Sequence, residues 1–363
     1  MSEPTHEERN GGPGESVLAS GSPRELRPWR PGASGPAARA LGALLAPAGA
    51  LYGAIAAQRL GVAPAVPPPR PTIGVGSPVA GGAGKTPTAL ALVRAARAMG
   101  LRPGVLSRGH GGRLRGPVLV DPARHGSADV GDEPRLLAAE APTVVGADRV
   151  AGARRLAPLC DLILMDDGFQ SRRLDADLWL LIVDGAAGVG NGRCLPAGPL
   201  RAPLSVQLDA AGALVAVDSG AGLAGAGSVL AAARARGLAV HRTTIAPVGS
   251  WSGREVAAFC GLGDPAKFRR TLEGAGARIA AWRAFPDHHV FSAADLRAIE
   301  AMAGGLPLVT TAKDAARLGP NAPPHEVLGI ELRFDDGAAE GLIERALERY
   351  GERAAANAAA ASL

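Results

Sequence analysis

The sequence predicts an α/β fold in which a parallel sheet is covered by helices on both faces. Short apolar runs alternate with helical patterns from residue 72 to about residue 215, and a second alternating set runs from about residue 239 to residue 346. Such alternation is typical of parallel sheets, because each crossover helix packs on a face of the sheet. We therefore expect one larger α/β domain followed by a smaller C-terminal α/β domain.

The strand predictions follow the apolar runs of the chain. The candidate strands of the larger domain are 72–76, 104–107, 142–146, 161–165, 178–183 and 213–217, and those of the smaller domain are 256–260, 278–282, 307–310 and 328–333. We divide the chain into a disordered extension (1–36), an N-terminal helix with the larger domain (37–245), the smaller domain (246–346) and a low-complexity tail (347–363). We expect the tail to fray from Ala354 onward.

Composition limits the classes of partner and compartment. The 363 residues carry a net charge of +5 and show no interleaving of basic and aromatic residues, so we expect no nucleic-acid partner. The three cysteines are scattered and form no C-x-x-C pair. This pattern indicates a reducing compartment, with neither a disulfide framework nor a zinc site. The oligomeric state is left open.

An uncharged run, residues 40–58, is flanked by Arg39 and Arg59 and has a helical apolar stripe. Pro47 should kink or split this helix. The surrounding segment 24–70 has six arginines and one acid. Three interpretations remain open: a membrane-spanning helix, a surface helix that dips into an anionic bilayer, or a helix packed on its own domain. A cleavable signal is disfavoured, because the run begins about forty residues into the chain, behind acidic residues.

A glycine-rich segment follows the first predicted strand and opens a helical pattern. Its sequence is Val79-Ala80-Gly81-Gly82-Ala83-Gly84-Lys85-Thr86-Pro87. A strand–turn–helix unit that ends in Gly-Lys-Thr is typical of a P-loop, in which backbone N–H groups cradle nucleotide phosphates. Lys85 would reach the β- and γ-phosphates, and the Thr86 hydroxyl would bind Mg²⁺. The alternative is a glycine-rich turn without a ligand.

Two details bear on this interpretation. Only three of the 39 basic residues are lysines, so a lysine at the required position is informative. Val79, however, stands where the general pattern has glycine. The fold class we expect is therefore a P-loop NTPase-like parallel sheet, with the smaller C-terminal domain and a membrane-associated N-terminal helix added to it.

A P-loop also needs a carboxylate at the end of a neighbouring strand to support Mg²⁺. Asp166 and Asp167 follow an apolar run and precede Gly168-Phe169-Gln170. Asp184 follows the next apolar run and is the competing candidate. The paired acids are preferred, because one can serve the metal while the other anchors a loop. Each acid alone could instead cap a helix or a turn.

Two clusters could receive or orient the proton of a nucleophile. Asp132 and Glu133 stand just before a helical stretch, where helix capping is the alternative role. Asp287, His288 and His289 form the second cluster, and no further ligand at zinc-like spacing accompanies them. The segment 107–112 could bind anionic substrate groups, and the segment 310–314 opens a helix and carries the third lysine. Capping and surface solvation are the default roles of both.

These motifs, taken in order, resemble the tetraacyldisaccharide 4'-kinases, the lipid A 4'-kinases of Gram-negative bacteria. The resemblance extends from about residue 37 to residue 346. The matching segments are Gly81-Gly82-Ala83-Gly84-Lys85-Thr86-Pro87, Gly104-Val105-Leu106-Ser107-Arg108-Gly109, Val130-Gly131-Asp132-Glu133-Pro134, Val145-Gly146-Ala147-Asp148-Arg149, Asp166-Asp167-Gly168-Phe169-Gln170, Gly192-Arg193-Cys194-Leu195-Pro196-Ala197-Gly198-Pro199-Leu200-Arg201, Phe285-Pro286-Asp287-His288-His289 and Thr310-Thr311-Ala312-Lys313-Asp314. A residue other than glycine at the position of Val79 is ordinary in this family.

The resemblance implies transfer of the ATP γ-phosphate to the 4'-hydroxyl of an acylated glucosamine disaccharide 1-phosphate. It implies a protein attached peripherally to the anionic cytoplasmic face of the inner membrane, with residues 37–60 as the docking helix. The implied cofactors are ATP and Mg²⁺. By position, the resemblance assigns phosphate binding to Gly81, Gly82, Ala83, Gly84, Lys85 and Thr86. It assigns metal binding to Thr86, Asp166 and Asp167, and catalysis to Lys85, Asp132 and His288. His289 could carry the role of His288.

Four positions depart from the pattern of the family. Ser171 replaces a usual histidine, His110 a usual tyrosine, and Ala202 and Ala312 usual glutamates. Two other classes of function remain as alternatives. A partitioning-type ATPase switch is disfavoured, because its distinguishing lysine would fall at Ala80. A scaffold that has lost activity is suggested by Ser171 and Ala202.

Overall fold

The computed structural model describes residues 36–62, 66–170, 173–319 and 321–361. The predicted disordered extension lies outside these residues, except for Pro36, which begins the first helix. The fold class predicted from the sequence is confirmed: the described residues form a large, mostly parallel sheet with helices on both faces.

Twelve strands of the described residues join in one sheet, in the order β10-β9-β11-β12-β8-β7-β6-β1-β5-β2-β4-β3. The strands are β1 (Thr72–Gly76), β2 (Pro103–Ser107), β3 (Val118–Leu119), β4 (Thr143–Val145), β5 (Leu162–Asp166), β6 (Leu178–Asp184), β7 (Ala213–Asp218), β8 (Ala239–Val248), β9 (Glu255–Cys260), β10 (Arg278–Ala284), β11 (Leu308–Thr311) and β12 (Glu326–Phe334). Neighbouring strands are parallel except in the pairs β12–β8 and β3–β4.

The helices are α1 (Pro36–Leu44), α2 (Ala46–Val62), α3 (Lys85–Ala98), α4 (Ser127–Val130), α5 (Asp132–Ala138), α6 (Arg149–Leu156), α7 (Leu204–Asp209), α8 (Gly227–Arg234), α9 (Pro265–Gly274), α10 (Ala293–Ala303), α11 (Ala312–Ala315) and α12 (Ala338–Ala361). We call β1–β7 with α3–α8 and α12 the P-loop half, and β9–β11 with α9–α11 the C-terminal half. Strands β8 and β12 pair with each other and connect the two halves.

All ten predicted strands are present, and two further strands were not predicted. Strand β3 has only two residues, and β8 has a largely half-exposed, polar sequence that gives no strong apolar run. The boundary expected between residues 245 and 246 falls inside β8. The sheet crosses this point without a break, and the division into domains stays a prediction.

The core of the P-loop half lies on both faces of the sheet. Along β6, Leu178, Leu180 and Ile182 pack on the face covered by α3 and α12, whereas Trp179 and Leu181 pack on the other. This alternation follows from the two-residue period of a strand, and it explains why buried parallel strands read as continuous apolar runs.

The C-terminal end of the chain is more ordered than the sequence predicts. We expected fraying from Ala354, but α12 continues as far as Ala361. Its first part is held because Leu342 and Ile343 are buried in the core of the P-loop half. Further along, Arg353 forms an ion pair with Asp177. A residue beyond 346, the predicted end of the domain, therefore also holds the helix against the P-loop half.

The N-terminal run is split into two helices, as Pro47 predicted: α1 ends at Leu44 and α2 begins at Ala46. Helix α2 approaches the 194–197 segment through Gly49 and Gly53. A Cβ atom on Gly49 would lie 2.9 Å from Ala197 Cβ, and one on Gly53 would lie 3.0 Å from Cys194 Sγ. Large side chains on this face would therefore push the helix away.

The outer face of these helices is apolar and exposed. Leu44, Leu51, Tyr52 and Ile55 are 78%, 65%, 41% and 44% exposed. Among the residues that the structure describes, no helix combines the length and the apolar character needed to cross a bilayer.

Candidate active site

The segment 77–84 joins β1 to α3 and forms the turn expected of a phosphate cradle. Gly81 and Gly84 adopt positive φ angles of 135° and 92°, a region that favours glycine. Gly84 is the N-cap of α3, and no side chain of the described residues caps this helix. The first N–H groups of α3 are therefore free to bind an anion.

Val79 does not need the conformational freedom of glycine. Its backbone pairs with Leu200 in an antiparallel bridge, and its carbonyl accepts a hydrogen bond of 3.2 Å from Arg201 Nε. The neighbouring Ala80 N–H donates to Pro199 O at 2.8 Å. The first part of the loop is thus an extended segment supported by its neighbour, and this conformation is open to valine.

Lys85, the first residue of α3, extends toward the acids that follow β5. Its Nζ lies 3.7 Å from Asp167 Oδ1, and Arg201 Nη1 donates to the same oxygen at 2.9 Å. Burial alone raises the pKa of Asp167. The charges of Lys85 and Arg201, with the hydrogen bond from Arg201, outweigh burial and lower this pKa. Asp167 is therefore ionised at neutral pH.

Asp166 is the last residue of β5, and its side chain is buried. Within the described residues its Oδ1 has no hydrogen-bond partner. Burial, followed by the nearby charge of Glu133, raises the pKa of Asp166 to about 7. A buried carboxylate oxygen without a partner is costly unless a cation compensates it, so this oxygen fits a metal ligand.

The residues around Asp166 suit Mg²⁺. Strands β1 and β5 are neighbours, and Val75 pairs with Asp166, which brings the acids to the loop that ends at Thr86. The described part of the chain contains no group of three or more His, Cys, Asp or Glu side chains that could hold a metal. Mg²⁺ typically needs only one or two protein carboxylates, because substrate phosphates and water complete its shell.

The competing acid, Asp184, is already engaged. Its Oδ1 accepts hydrogen bonds from the N–H groups of Ala186 and Ala187 at 3.0 and 2.9 Å. Its Oδ2 accepts one from Lys267 Nζ at 2.8 Å. Both oxygens are therefore used, in capping a turn and in joining β6 to α9.

Asp132 begins α5 in the P-loop half, and His288 lies after β10 in the C-terminal half. Asp132 Oδ2 is 3.3 Å from His288 Nδ1, and His288 has a φ of 59°, unusual for a residue other than glycine. His289 points elsewhere, since its Nε2 lies 3.1 Å from Asp295 Oδ2 and its ring stacks on Phe285. The structure thus brings His288, rather than His289, to Asp132.

Two more basic residues of the C-terminal half reach acids of the P-loop half. Lys313 Nζ lies 2.5 Å from Glu133 Oε1, and Arg317 Nη2 lies 2.5 Å from Asp132 Oδ2. Burial alone raises the pKa of Glu133, but the charge and hydrogen bond of Lys313, and then the charge of Lys85, outweigh burial and lower it. Asp132 and Glu133 begin α5, which packs against α3, the helix that Lys85 begins.

The loop after the paired acids is fixed by packing and by hydrogen bonds of Gln170 to Ser77 and Arg201. Phe169 is fully buried and meets Trp179 edge to face, with ring centroids 5.4 Å apart. A Cβ on Gly76 would lie 2.3 Å from Phe169 Cβ, so only glycine permits this approach. Gln170 Nε2 donates to Ser77 O at 2.9 Å. The acids and the P-loop are therefore held in one rigid unit.

Sequence reasoning did not select three arginines of this site. Arg149 is 5% exposed and donates from Nη2 to Asp166 O at 3.3 Å, and burial lowers its pKa to about 10. Arg201 contacts Asp167, and Arg317 contacts Asp132. Arg149 and Arg201 stand in segments that carry the family resemblance, which is a usable signal, whereas Arg317 lies outside those segments.

The positions that depart from the family pattern differ in their surroundings. Ser171 lies outside the described residues, His110 is exposed, and Ala312 begins α11. Ala202 is buried beneath α2. It lines a cavity of about 280 Å³ together with Tyr52, Ile55, Ala56, Arg59, Leu60, Gln170 and Arg201.

A glycine-rich cradle, a lysine at the start of a helix and paired acids on the neighbouring strand define the class of P-loop nucleotide-binding proteins. Comparison with known proteins narrows this class. The family model described as tetraacyldisaccharide-1-P 4'-kinase matches residues 41–348. The chain belongs to this family.

Individual relatives agree with the family model. The tetraacyldisaccharide 4'-kinase of Methylorubrum extorquens (strain PA1) is 52% identical over 308 residues, which cover 83% of this chain and 93% of the relative. The enzyme of that name from Sinorhizobium fredii (strain NBRC 101917 / NGR234) is 49% identical over 303 residues, covering 80% and 87%. A crystal structure of LpxK from Aquifex aeolicus in complex with ATP matches with a TM-score of 0.67 and 25% identity, over 85% of this chain and 99% of that chain.

These findings confirm the family predicted from the sequence and define the enzyme as an ATP-dependent kinase with a hydroxyl acceptor. They favour the kinase over the ATPase switch and over the inactive scaffold.

Proposed function

We propose that the chain transfers the γ-phosphate of ATP to the 4'-hydroxyl of an acylated glucosamine disaccharide 1-phosphate, a step in lipid A synthesis. The observation that carries this proposal is the contact of His288 with Asp132, the first residue of a helix that packs against α3. A carboxylate oriented by an imidazole, next to nucleotide phosphates, is suited to take a proton from a hydroxyl nucleophile. The identity of the acceptor follows the names of the family and of its relatives.

The P-loop residues bind and orient the nucleotide. The N–H groups from Gly81 to Thr86 face the β- and γ-phosphates, and Lys85 neutralises charge that develops during transfer. Phosphoryl transfer depends mainly on positioning and on such charge neutralisation, because its transition state is loose and highly charged. The contact of Lys85 with Asp167 supports this role, since it directs the ammonium group toward the acids rather than toward solvent.

Asp132 acts as the base. It accepts the proton of the 4'-hydroxyl while the hydroxyl oxygen forms a bond to the γ-phosphorus. The bond from the γ-phosphorus to the β–γ bridging oxygen breaks, and ADP leaves with that electron pair. His288 contacts Asp132 Oδ2 and keeps the carboxylate oriented.

Thr86, Asp166 and Asp167 would hold Mg²⁺. When bound, the ion neutralises negative charge on the nucleotide phosphates. The buried Asp166 Oδ1, which has no hydrogen-bond partner in the described residues, supports this assignment. Arg201 holds Asp167 from the side of the 199–201 segment, so the two acids keep distinct orientations.

The lipid acceptor would be reached from the anionic, cytoplasmic face of the inner membrane. Leu44, Leu51 and Ile55 form an exposed apolar surface on α1 and α2, and Arg39 and Arg59 flank it. An apolar helix face with basic residues at its ends binds the interface of an anionic bilayer. The cavity beneath α2 lies between this surface and Arg201, which gives the acceptor a route from the bilayer to the site.

A transfer assay tests the proposal. The full chain is incubated with Mg²⁺, radiolabelled ATP and the 1-phosphorylated acylated disaccharide in mixed micelles. We expect a lipid that carries a second phosphate, and no such product when the 4'-hydroxyl is replaced by hydrogen. Hydrolysis of ATP without labelled lipid would contradict the proposed acceptor.

A further inference from the structure

Arg317 reaches from the C-terminal half to the proposed base. Its side chain is 8% exposed. Its Nε and Nη2 both donate to Asp132 Oδ2, at 2.8 and 2.5 Å. A two-donor contact to a single carboxylate oxygen is short and strongly directional, because both partners are charged.

The guanidinium is also fixed from its own half. Its Nη1 donates to Gly261 O at 3.2 Å and to Asp314 Oδ1 at 3.1 Å. Asp314 is fully buried, and its other oxygen accepts a hydrogen bond of 2.6 Å from the Thr311 hydroxyl. Arg317 is therefore held in place independently of the residue that it contacts in the other half.

These contacts involve one carboxylate oxygen of Asp132, Oδ2, and so distinguish it from Oδ1. In the described part of the chain, Arg317 and His288 both contact Oδ2 of Asp132. Nη2 of Arg317 also lies 3.2 Å from Nδ1 of His288. Arg317 and His288 thus converge on one oxygen of the carboxylate, Oδ2.

We infer that Arg317 is a positioning residue for phosphoryl transfer. This inference rests on the proposed role of Asp132 as the base. Arg317 and His288 both contact Oδ2 of Asp132, so that Oδ1 of Asp132 is the oxygen that accepts the proton of the acceptor hydroxyl. Because Arg317 is anchored in the C-terminal half, the base is oriented only when the two halves are packed together.

The chain offers a matched control for a role that is merely structural. Lys267 also forms an ion pair across the halves, with Asp184 at 2.8 Å, but it does not contact Asp132. If any bridge between the halves were sufficient, Lys267→Met would have the same effect as Arg317→Met.

The test compares Arg317→Met, Arg317→Lys and Lys267→Met by kcat, by KM for ATP and by ATP binding. We expect Arg317→Met to lower kcat by about 10- to 100-fold, the cost of a misplaced catalytic group. Its KM and its ATP affinity should stay within about twofold, because the P-loop is untouched. Arg317→Lys should recover part of the loss, since it keeps the charge but not both donors. Lys267→Met should lower kcat much less than Arg317→Met does.

Two outcomes overturn the inference. One is a kcat of Arg317→Met within twofold of the native value, and the other is an equal loss in Lys267→Met. If Arg317→Met does not fold, as judged by its thermal unfolding, Arg317→Lys decides alone: a native kcat contradicts the inference. Asp132→Asn, measured in parallel, distinguishes failure of the proposed role of Arg317 from failure of the proposed base. An active Asp132→Asn contradicts the proposed base, whereas an inactive one beside a fully active Arg317→Met contradicts only the role of Arg317.

Discussion

Asp132 Oδ2 lies 3.3 Å from His288 Nδ1, although the two residues belong to opposite halves of the molecule. The proposed base and its partner thus meet only through the tertiary structure. The phosphate cradle is different, because Gly81, Gly84 and Lys85 all belong to one turn and one helix start. Binding of the nucleotide and activation of the acceptor are therefore separable by mutation.

Asp132→Asn should abolish transfer and leave ATP binding intact. The amide keeps the shape of the side chain but cannot take a proton, and general bases contribute about 10²–10⁴-fold to rate. Isothermal titration with ATP and the transfer assay measure the two properties. Lys85→Ala is the matched comparison, and it should lose both properties, with kcat lowered by about 10²–10³-fold. Strong turnover by Asp132→Asn would contradict the assignment of the base.

Asp166→Asn should stabilise the protein in the absence of metal and nucleotide, in a manner that depends on pH. Burial raises the pKa of Asp166 to about 7, so ionisation of this acid opposes folding. The cost begins above its ordinary pKa, grows as the pH rises toward 7 and is complete above that value. The variant should therefore exceed the native protein in its free energy of unfolding by on the order of 4 kcal/mol at pH 8, given about 1.36 kcal/mol per pKa unit.

Urea unfolding at pH 8 and pH 4.5 measures this difference, which should shrink at the lower pH. Asp184→Asn is the control, for which we expect a change in stability of the opposite sign. Burial alone raises the pKa of Asp184, but the charge and hydrogen bond of Lys267 and the hydrogen bonds of two backbone N–H groups outweigh burial and lower it. Asp184→Asn should therefore destabilise the protein at pH 8. Equal signs for the two variants would contradict the argument.

Gly74→Ala should damage both stability and catalysis. A Cβ on Gly74 would lie 2.2 Å from the ring of Trp179, which meets Phe169 of the loop after the paired acids. Overpacking of a core costs about 1–3 kcal/mol, and displacement of Phe169 would move Asp167. Thermal unfolding and kcat measure the two effects. Gly274→Ala, at an exposed helix end with nothing within 4 Å of the added carbon, should change neither.

Leu44→Gln combined with Leu51→Gln should weaken binding to the membrane. These side chains are 78% and 65% exposed, and burial of one such side chain in a bilayer contributes roughly 1.5–3 kcal/mol. We expect affinity for vesicles of phosphatidylglycerol and phosphatidylethanolamine to fall at least about tenfold, since 1.4 kcal/mol is a factor of ten. Cosedimentation measures this affinity. Leu159→Gln, at an exposed leucine that follows α6, should leave it unchanged.

Strands such as β5 and β6 were predicted because they are buried on both faces and therefore read as apolar runs. Strand β8 was missed, since only one of its ten residues is buried and its side chains are mixed in polarity. Its role as the link between the halves depends on pairing with β12, a segment distant in the chain. No local pattern encodes such a pairing.

For the active site, too, local features were predicted and long-range contacts were not. The cradle and the paired acids were predicted, because strand, turn and helix signals surround them. Arg317 was not, because arginines are abundant in this chain and its contact with Asp132 is long-range. The rarity of lysine drew attention to Lys85, and it could have done so elsewhere: Lys267 and Lys313 also form ion pairs across the two halves.

Helix α12 follows every other described element in the chain, yet its Leu342 and Ile343 are buried in one cluster with Ile73 and Val75 of β1. A growing chain leaves the ribosome from its N-terminus. The strand that leads into the P-loop is covered on this face by α3 soon after synthesis, but part of the face stays uncovered until α12 has been translated. A chain released before α12 would carry every nucleotide-binding motif without a finished interior.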